Sequence, residues 1–469
     1  MSAVRFAILG TARIARTIAP KLHAAPTAEL VGVASRSLDK AEAFASEFSI
    51  PKTYASYQAA LDDPSIDAVY IPLPPSLHPE WVMKAAAAGK HILCEKPLAT
   101  NVSEVDQMIA VCQAHDVVLL DGVMWYHTQR AAAIQQKAAS GDLGSLKQIT
   151  SAFTFHWDTL PMENLRLHRD LGGGALLDLG WYCVGAAVWL FGELPHEVFA
   201  RATWHNDVDT RINGFLWFDN DRVATLEAGF DAVRRRWLEV TGTRKTLFCD
   251  DFTRPWNADQ SQFRTLDGDG QQETFSAPAQ AQEVCMIEAF CQLIDHRRTQ
   301  HPWLTLSRRT QLVCDALQQS AREQRTVTVP RETEPLQVAF VDDSAGNRNS
   351  WKAAMQLICR DNAVLHCFES ESDVRRCLDQ GFRPDVFFVD YFLERHYGTD
   401  VIALLKQRFG DDVVMIAHSS VRSGNQSLLR GGAHAAIDKR PGGGPSPAVL
   451  EHFPDFAAFQ RFVQQHRKS

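Results

Sequence analysis

The chain has 469 residues, 45% of them hydrophobic and 22% charged, the proportions of a soluble globular protein of about three domains. Its 56 acidic residues against 48 basic ones leave a net charge of −8, which argues against a broad electrostatic grip on nucleic acid. No apolar run approaches the ~20 residues that span a bilayer, and Gly and Arg interrupt MSAVRFAILGTARIARTIAP too often for a signal peptide.

Strands and helices alternate over residues 1–122. VRFAILG is an apolar strand running into a turn, ARIARTIAPKLHAA a helix, ELVGVASRS a strand, LDKAEAFASEF a helix and IDAVYIPLP a strand. HPEWVMKAAAAG is a helix stopped by Gly89, and HILCEKP and VVLLDGVM are further strands. That alternation predicts a doubly wound parallel sheet of Rossmann type. Over 123–330 the helix TQRAAAIQQKAASG precedes the strands LKQITSAFTFHW, EVFARATWHN, INGFLWFDN, RVATLEAGF and RRWLEVTGTRKTLFCD, and the helix LTLSRRTQLVCDALQQSAREQ follows them. This predicts an α+β domain built on a large, mostly antiparallel sheet. RETEPLQ, 331–337, reads as a linker. From 338 to 469 a five-fold strand–helix series (QVAFVDD, AVLHCFES, PDVFFVDY, VVMIAHSS, HAAIDKRPGG) predicts a second doubly wound domain, flavodoxin-like in type. RPGGGPSP, 440–447, reads as a flexible loop. The ten cysteines include no CxxC pair and read as buried free thiols in a reducing cytosol.

Gly10, Thr11, Ala12, Arg13, Ile14 and Ala15 join the first strand to the first helix, where a dinucleotide fingerprint asks for G-x-G-x-x-G/A. Small residues there let a pyrophosphate approach the backbone and the helix N-terminus. Ala12 replaces the middle glycine, so the segment also reads as an ordinary strand–helix turn. Ser35, Arg36 and, a turn later, Lys40 stand where an NAD site carries an acid. A hydroxyl and a guanidinium suit a 2′-phosphate, so NADP is expected ahead of NAD; the alternative for Arg36 is a solvated loop charge. Pro72, Leu73 and Pro74 end the next strand on the nicotinamide side, and His78 either reaches the cofactor or caps the following helix. HILCEKPLAT then puts Glu95 and Lys96 at a strand end, with Pro97 restricting the backbone so that Lys96 aims at the crevice. Glu95 anchors the lysine or the ribose; alone, the pair also reads as a surface salt bridge.

GTARIA, SRS, IPLPPSLH and CEKPLA, in this order and spacing, resemble the glucose-fructose oxidoreductase / inositol dehydrogenase / MocA family over residues 1–330. GGGALLDLGWYCVGAAVWLFG, 172–192, is similar to the branch of dimeric dihydrodiol dehydrogenases and NADP-dependent xylose dehydrogenases, which carries tyrosine where inositol dehydrogenases carry histidine. The resemblance implies Tyr182 as proton donor or acceptor, assisted by Lys96 and Asp178, and Asn164 and Arg166 as substrate-proximal residues that bind hydroxyls or orient a loop. Asp178 and Tyr182 are i and i+4, on one helical face, and a neighbouring lysine favours the phenolate. Trp125 and Trp181 read as pocket lining or packing, His127 as a substrate contact or a core histidine. The branch pairs through its sheet, so a homodimer or higher homo-oligomer is expected.

Asp342 and Asp343 end the first strand of the last domain, Asp390 ends its third, and Lys439 follows its fifth. Strand ends on one side of a parallel sheet converge, and three converging carboxylates repel unless a hard divalent cation such as Mg²⁺ joins them. Residues 335–469 resemble a response-regulator receiver domain. That resemblance implies Asp390 as phosphoacceptor, Asp342, Asp343 and Asp390 around Mg²⁺, Lys439 on the phosphate, and Ser419 or Ser420 as the switch hydroxyl. FLERHYG after Asp390 and Arg440 before Pro441 depart from the pattern, and a receiver-like domain that is never phosphorylated is the alternative. The expectation is a cytoplasmic NADP-dependent dehydrogenase of a sugar or cyclic diol, regulated through a histidine kinase, with no nucleic-acid or membrane partner. Its rival is a two-component signalling protein that keeps the dehydrogenase fold as a cofactor or metabolite sensor.

Overall fold

The computed structural model describes residues 3–257, 261–330, 336–359, 363–439 and 445–466. The chain forms two compact units, Met1–Arg331 and Glu332–Ser469.

The first unit opens with β1 (Val4–Leu9), α1 (Arg13–Ala24), β2 (Ala28–Ala34), α2 (Leu38–Phe48), β3 (Lys52–Tyr54), α3 (Tyr57–Leu61), β4 (Ala68–Ile71), α4 (His78–Ala87), β5 (His91–Cys94), α5 (Val102–Ala114) and β6 (Leu119–Asp121). These six strands form one parallel sheet in the order β3-β2-β1-β4-β5-β6, so β1 and β4 flank the point where the strand order reverses. Helices cover both faces, which is why Ala68–Ile71 and Ile92–Cys94 are buried without alternation.

The chain continues through α6 (Gln129–Ala139), β7 (Leu146–His156), α7 (Trp181–Phe191), β8 (Glu197–His205), β9 (Val208–Phe218), β10 (Arg222–Gly229), β11 (Asp231–Gly242), β12 (Lys245–Cys249), β13 (Gln262–Asp267), β14 (Gln272–Ser276), α8 (Gln282–Asp295), α9 (Pro302–Glu323) and β15 (Val327–Thr328). The nine strands form a mixed sheet, β14-β13-β12-β11-β7-β10-β9-β8-β15, antiparallel except between β10 and β7. α7 and α9 bury Val184, Val188, Val313 and Leu317 against its inner residues Ile149, Ala200, Leu216 and Leu238.

Several features depart from the sequence reading, which placed none of β3, β13, β14 and β15. α8 was not anticipated; it buries Met286, Ile287, Phe290 and Cys291 beside Phe6 and Ile8, so the chain returns to the parallel-sheet half after building the mixed sheet. The single helical face expected to carry Asp178 and Tyr182 begins as a π-helical turn, Leu176–Gly180, before α7. The helical stretch Arg169–Phe191 is also apolar enough, by length and composition, to cross a bilayer, contrary to the reading that no run approaches that limit; 78% of its most apolar window is buried, as in a core helix.

The second unit contains β16 (Leu336–Val341), α10 (Ala345–Cys359), β17 (Ala363–Phe368), α11 (Glu371–Asp379), β18 (Val386–Val389), the short hairpin β19 (Phe392–Leu393) and β20 (His396–Tyr397), α12 (Gly398–Phe409), β21 (Val414–Ala417), α13 (Arg422–Gly431), β22 (Ala435–Ala436), α14 (Pro445–His452) and α15 (Phe456–His466). Its parallel sheet runs β17-β16-β18-β21-β22, the 2-1-3-4-5 order of flavodoxin-like folds. Of the expected linker 331–337, residues 331–335 lie outside the described residues, and Leu336 and Gln337 belong to β16, paired with Ala363 and Val364. Residues 440–444 of the expected loop also lie outside the described residues.

Candidate active site

The turn between β1 and α1 has the form a pyrophosphate needs. Gly10 has φ +114, and a side chain there would press within 3.1 Å of Leu73 Cδ2, so glycine is required. Ala12 precedes α1 in an extended conformation and leaves the helix without a side-chain cap, and no acidic residue lies in its first turn. The free N–H groups of that 12-residue helix therefore open at the carboxyl end of the sheet, with Thr11, Arg13 and Ile14 around them. At the end of β2, Ser35 is buried with its hydroxyl accepting from Ser37 N–H at 3.3 Å, while Arg36 and Lys40 are exposed. Arg36 lies close enough to Tyr57 to act on its hydroxyl. These residues fit a dinucleotide with a 2′-phosphate.

His78 takes neither role proposed for it. It is fully buried, with Nε2 2.7 Å from Leu73 O and Nδ1 3.0 Å from Pro97 O, so it ties the Pro72-Leu73-Pro74 loop to the end of β5. Glu95 is buried too; it accepts from Tyr70 Oη at 2.7 Å and does not pair with the Lys96 ammonium. Burial raises its pKa. The Lys96–Pro97 peptide is cis.

Lys96, Asp178, Arg166 and Tyr182 come together. Lys96 Nζ donates to Asp178 Oδ1 at 2.9 Å and to Asp178 O at 2.7 Å, and stands 5.0 Å from the centre of the Tyr182 ring. Arg166 Nε donates to Asp178 Oδ2 at 2.5 Å. Burial alone would raise the Asp178 carboxyl, but Lys96 and Arg166 overcome it and hold it down at about 2. Burial would lower the Lys96 ammonium, and Asp178 and Tyr182 together more than offset that. For Tyr182 burial wins: it lifts the phenol above its ordinary value although Lys96 opposes it. The expected phenolate-favouring effect of Lys96 is therefore present but outweighed. Arg166 orients Asp178, and Asn164 turns inward, its Oδ1 accepting from Arg166 N at 3.1 Å, so its carbonyl caps the turn that carries Arg166. Trp125 and Trp181 are buried in the core. His127 is packed on Trp303, with its pKa pushed down to about 4 by burial.

Sequence reasoning missed Asp209, in β9. It is buried, accepts from Leu176 N–H at 2.7 Å, and so holds the first turn of the helix that carries Asp178 and Tyr182. Gly174, at φ +125, leaves no room for a side chain beside this carboxylate. Asp121, at the end of β6 next to β5, was missed as well; Ser307 Oγ donates to it at 2.5 Å, and burial pushes it up to about 7. Asp121 closes an otherwise apolar strand, LLD, which was a signal; β9 carries Thr210, Arg211 and Asn213 after Asp209, so nothing in its pattern singled that acid out.

In the second unit, Asp342, Asp343 and Asp390 bring one carboxylate oxygen each within 4.8 Å of the others. Lys439 Nζ pairs with Asp342 and, at 3.1 Å, with Asp390. Asn347 Nδ2 also reaches Asp342, at 3.1 and 3.2 Å. Three hard oxygen donors fit a divalent cation such as Mg²⁺. The strand register pairs Val389 with Ala417, which puts His418, not a serine, level with Asp390. The His418 ring lies in the core, its centroid 5.7 Å from that of Phe340 and 5.9 Å from that of Phe388. Ser419 is buried, its hydroxyl accepting from Val421 N–H, and Ser420 is exposed.

A family model described as the oxidoreductase family, NAD-binding Rossmann fold, matches residues 4–122, and one described as the GFO/IDH/MocA C-terminal domain matches residues 131–248. A D-xylose 1-dehydrogenase (NADP(+)) of Haloferax volcanii is 39% identical, over 51% of this chain and 73% of its own. A trans-1,2-dihydrobenzene-1,2-diol dehydrogenase of Xenopus laevis is 34% identical, over 52% and 74%. The crystal structure of a 3-ketoreductase from Actinomadura kijaniata in complex with NADP and TDP-benzene is 30% identical with a TM-score of 0.64, covering 68% of this chain and 98% of that one.

Proposed function

Because the chain belongs to the Gfo/Idh/MocA oxidoreductase family, we propose that it is an NADP-dependent dehydrogenase or reductase that interconverts a sugar or cyclic-diol carbinol and the corresponding carbonyl. The observation that carries this reading is the joint placement of Lys96, Asp178 and Tyr182. Gly10, Thr11, Ala12, Arg13 and Ile14 hold the pyrophosphate, Ser35, Arg36 and Lys40 the 2′-phosphate, and Pro72, Leu73 and Pro74 the nicotinamide side. When bound, the nicotinamide supplies or accepts the hydride.

The protein's own part is the proton and its placement. Tyr182 Oη exchanges a proton with the substrate oxygen, and its high pKa keeps the proton on the phenol until the carbonyl oxygen gains charge. Lys96 lowers the cost of the phenolate that forms, and Asp178 keeps Lys96 charged and aimed. Arg166 and Asn164 fix Asp178 from the far side. Steady-state turnover of D-xylose, further aldoses, sugar acids and trans-cyclic diols with NADP⁺ tests this. Tyr182→Phe should lower kcat by about 10²–10⁴-fold with unchanged NADPH affinity. Equal turnover in wild type and variant would refute it.

The second unit is proposed as a receiver-like regulator. Asp342, Asp343 and Asp390 would bind Mg²⁺, Asp390 would accept phosphate from a histidine kinase or acetyl phosphate, Lys439 would hold the phosphate, and Ser419 is the candidate switch hydroxyl. The converging carboxylates and the strand order support it. Kinetics of wild type and Asp390→Ala after acetyl-phosphate treatment test the coupling; identical behaviour would remove it.

A further inference from the structure

Beside Tyr182 the first unit carries positive charge that the proposed proton chemistry does not use. The Phe153 ring packs on Tyr182, centroids 5.4 Å apart. Arg236 pairs directly with Phe153 across β11 and β7, and directly opposed residues in a sheet share a face, so Arg236 lies on the Tyr182 side. Its guanidinium carbon stands 4.0 Å from the centre of the Trp256 ring, a cation–π contact that holds it in place. Its Nε is buried and has no hydrogen-bond partner among the described residues.

The neighbouring charges sharpen the point. Arg130 is committed to Asp251, and Arg235 to Glu227. Arg254 pairs with Glu283 and is near enough to Tyr182 to pull its pKa down. Burial lowers the Arg236 pKa and Asp251 opposes that, while Arg234, Arg254 and Arg130 crowd it further. Lys96 and Arg166 already share the single carboxylate of Asp178. A half-buried guanidinium with an unpaired N–H, held against an indole at the edge of a site rich in cations, is suited to receive an anion.

We propose that Arg236, with Arg254 beside it, is an anion-recognition subsite next to Tyr182, and that the substrate is a sugar or polyol bearing a carboxylate or a phosphate. This rests on the dehydrogenase reading and names the substrate class within it.

The test is isothermal titration calorimetry of the full chain, with and without NADPH, against D-gluconate, D-glucose 6-phosphate and neutral D-xylose. One of the two anions should bind at least tenfold more tightly than D-xylose, and which one distinguishes carboxylate from phosphate. Charge-assisted hydrogen bonds put the loss in Arg236→Ala at about tenfold or more for that anion, with D-xylose and NADPH affinities unchanged and Arg236→Lys recovering part of it. Arg254→Gln should show a smaller loss of the same sign, which keeps the test alive if Arg236→Ala does not fold. Equal affinity for charged and neutral probes, no binding of either anion, or wild-type anion affinity in both variants would overturn the subsite. Failure of NADPH itself to bind would instead overturn the dehydrogenase reading, and the titrations without nucleotide would still decide the anion question.

Discussion

Asp178→Asn removes the charge that joins Lys96 and Arg166. In the protein Lys96 and Asp178 are 13% and 15% exposed at their side chains, so the pair is mostly desolvated. Taking the anion from such a pair leaves uncompensated buried charge, a loss of roughly 3 kcal/mol. The pKa route gives a similar size. Asp178 sits at about 2 in the fold, against about 3.9 in an unfolded chain, which corresponds to roughly 2–3 kcal/mol. The folded value is the depressed one, so this stability is present above pH ~4 and lost as pH falls toward 2. Calorimetric melts should therefore show the transition that NADPH raises falling by several degrees in Asp178→Asn at pH 7, at about 2–4 °C per kcal/mol for a unit of this size. The gap between wild type and variant should narrow below about pH 4 and close as pH approaches about 2. A variant that melts with wild type at pH 7, or a gap that widens in acid, would refute the reasoning.

Asp209→Asn keeps an acceptor for Leu176 N–H but cannot ionise. Burial pushes Asp209 up to about 7, above its unfolded value, so its stabilising contribution is full below pH ~4 and lost as pH rises through about 7. Relative to wild type, Asp209→Asn should gain on the order of 3 kcal/mol between pH 4 and pH 8; a constant difference across that range in urea melts would count against the assignment. In the second unit, calorimetric Mg²⁺ binding should disappear in Asp342→Ala and in Asp390→Ala, and a wild-type chain that binds no Mg²⁺ would remove the cation from that pocket.

Much of this was legible because strand–helix alternation and strand-end residues carry their own signal. Lys96 could be placed because strands ending in EKP have few places to point in a doubly wound sheet, and Asp390 because parallel strand ends converge. Partnering was not legible. Asn164 and Arg166 lie two apart in a loop, and only the folded loop shows Asn164 spending its carbonyl on Arg166 N–H and Arg166 spending its guanidinium on Asp178. The spacing of Asp178 and Tyr182 suggested an α-helical face, whereas Asp178 lies in a π turn and Tyr182 in the α-helix that follows, a local winding that residue periodicity does not encode. His78 read as a cofactor contact or a helix cap, and its ring is instead held between the carbonyls of Leu73 and Pro97, on two different loops. Asp209 reaches its amide from 33 residues away, and Arg236 meets Phe153 through strand pairing across more than 80 positions. Contacts of that kind are set by register, not by local pattern.

The central claim is an NADP site that serves Lys96 and Tyr182. Equilibrium titration of the full chain with NADPH and NADH, read by nicotinamide fluorescence, tests it most directly. The account predicts tighter binding of NADPH, with the preference reduced by about tenfold or more in Arg36→Ala through loss of the charge-assisted contact. Preference for NADH, or an Arg36→Ala variant that still favours NADPH as wild type does, would contradict it.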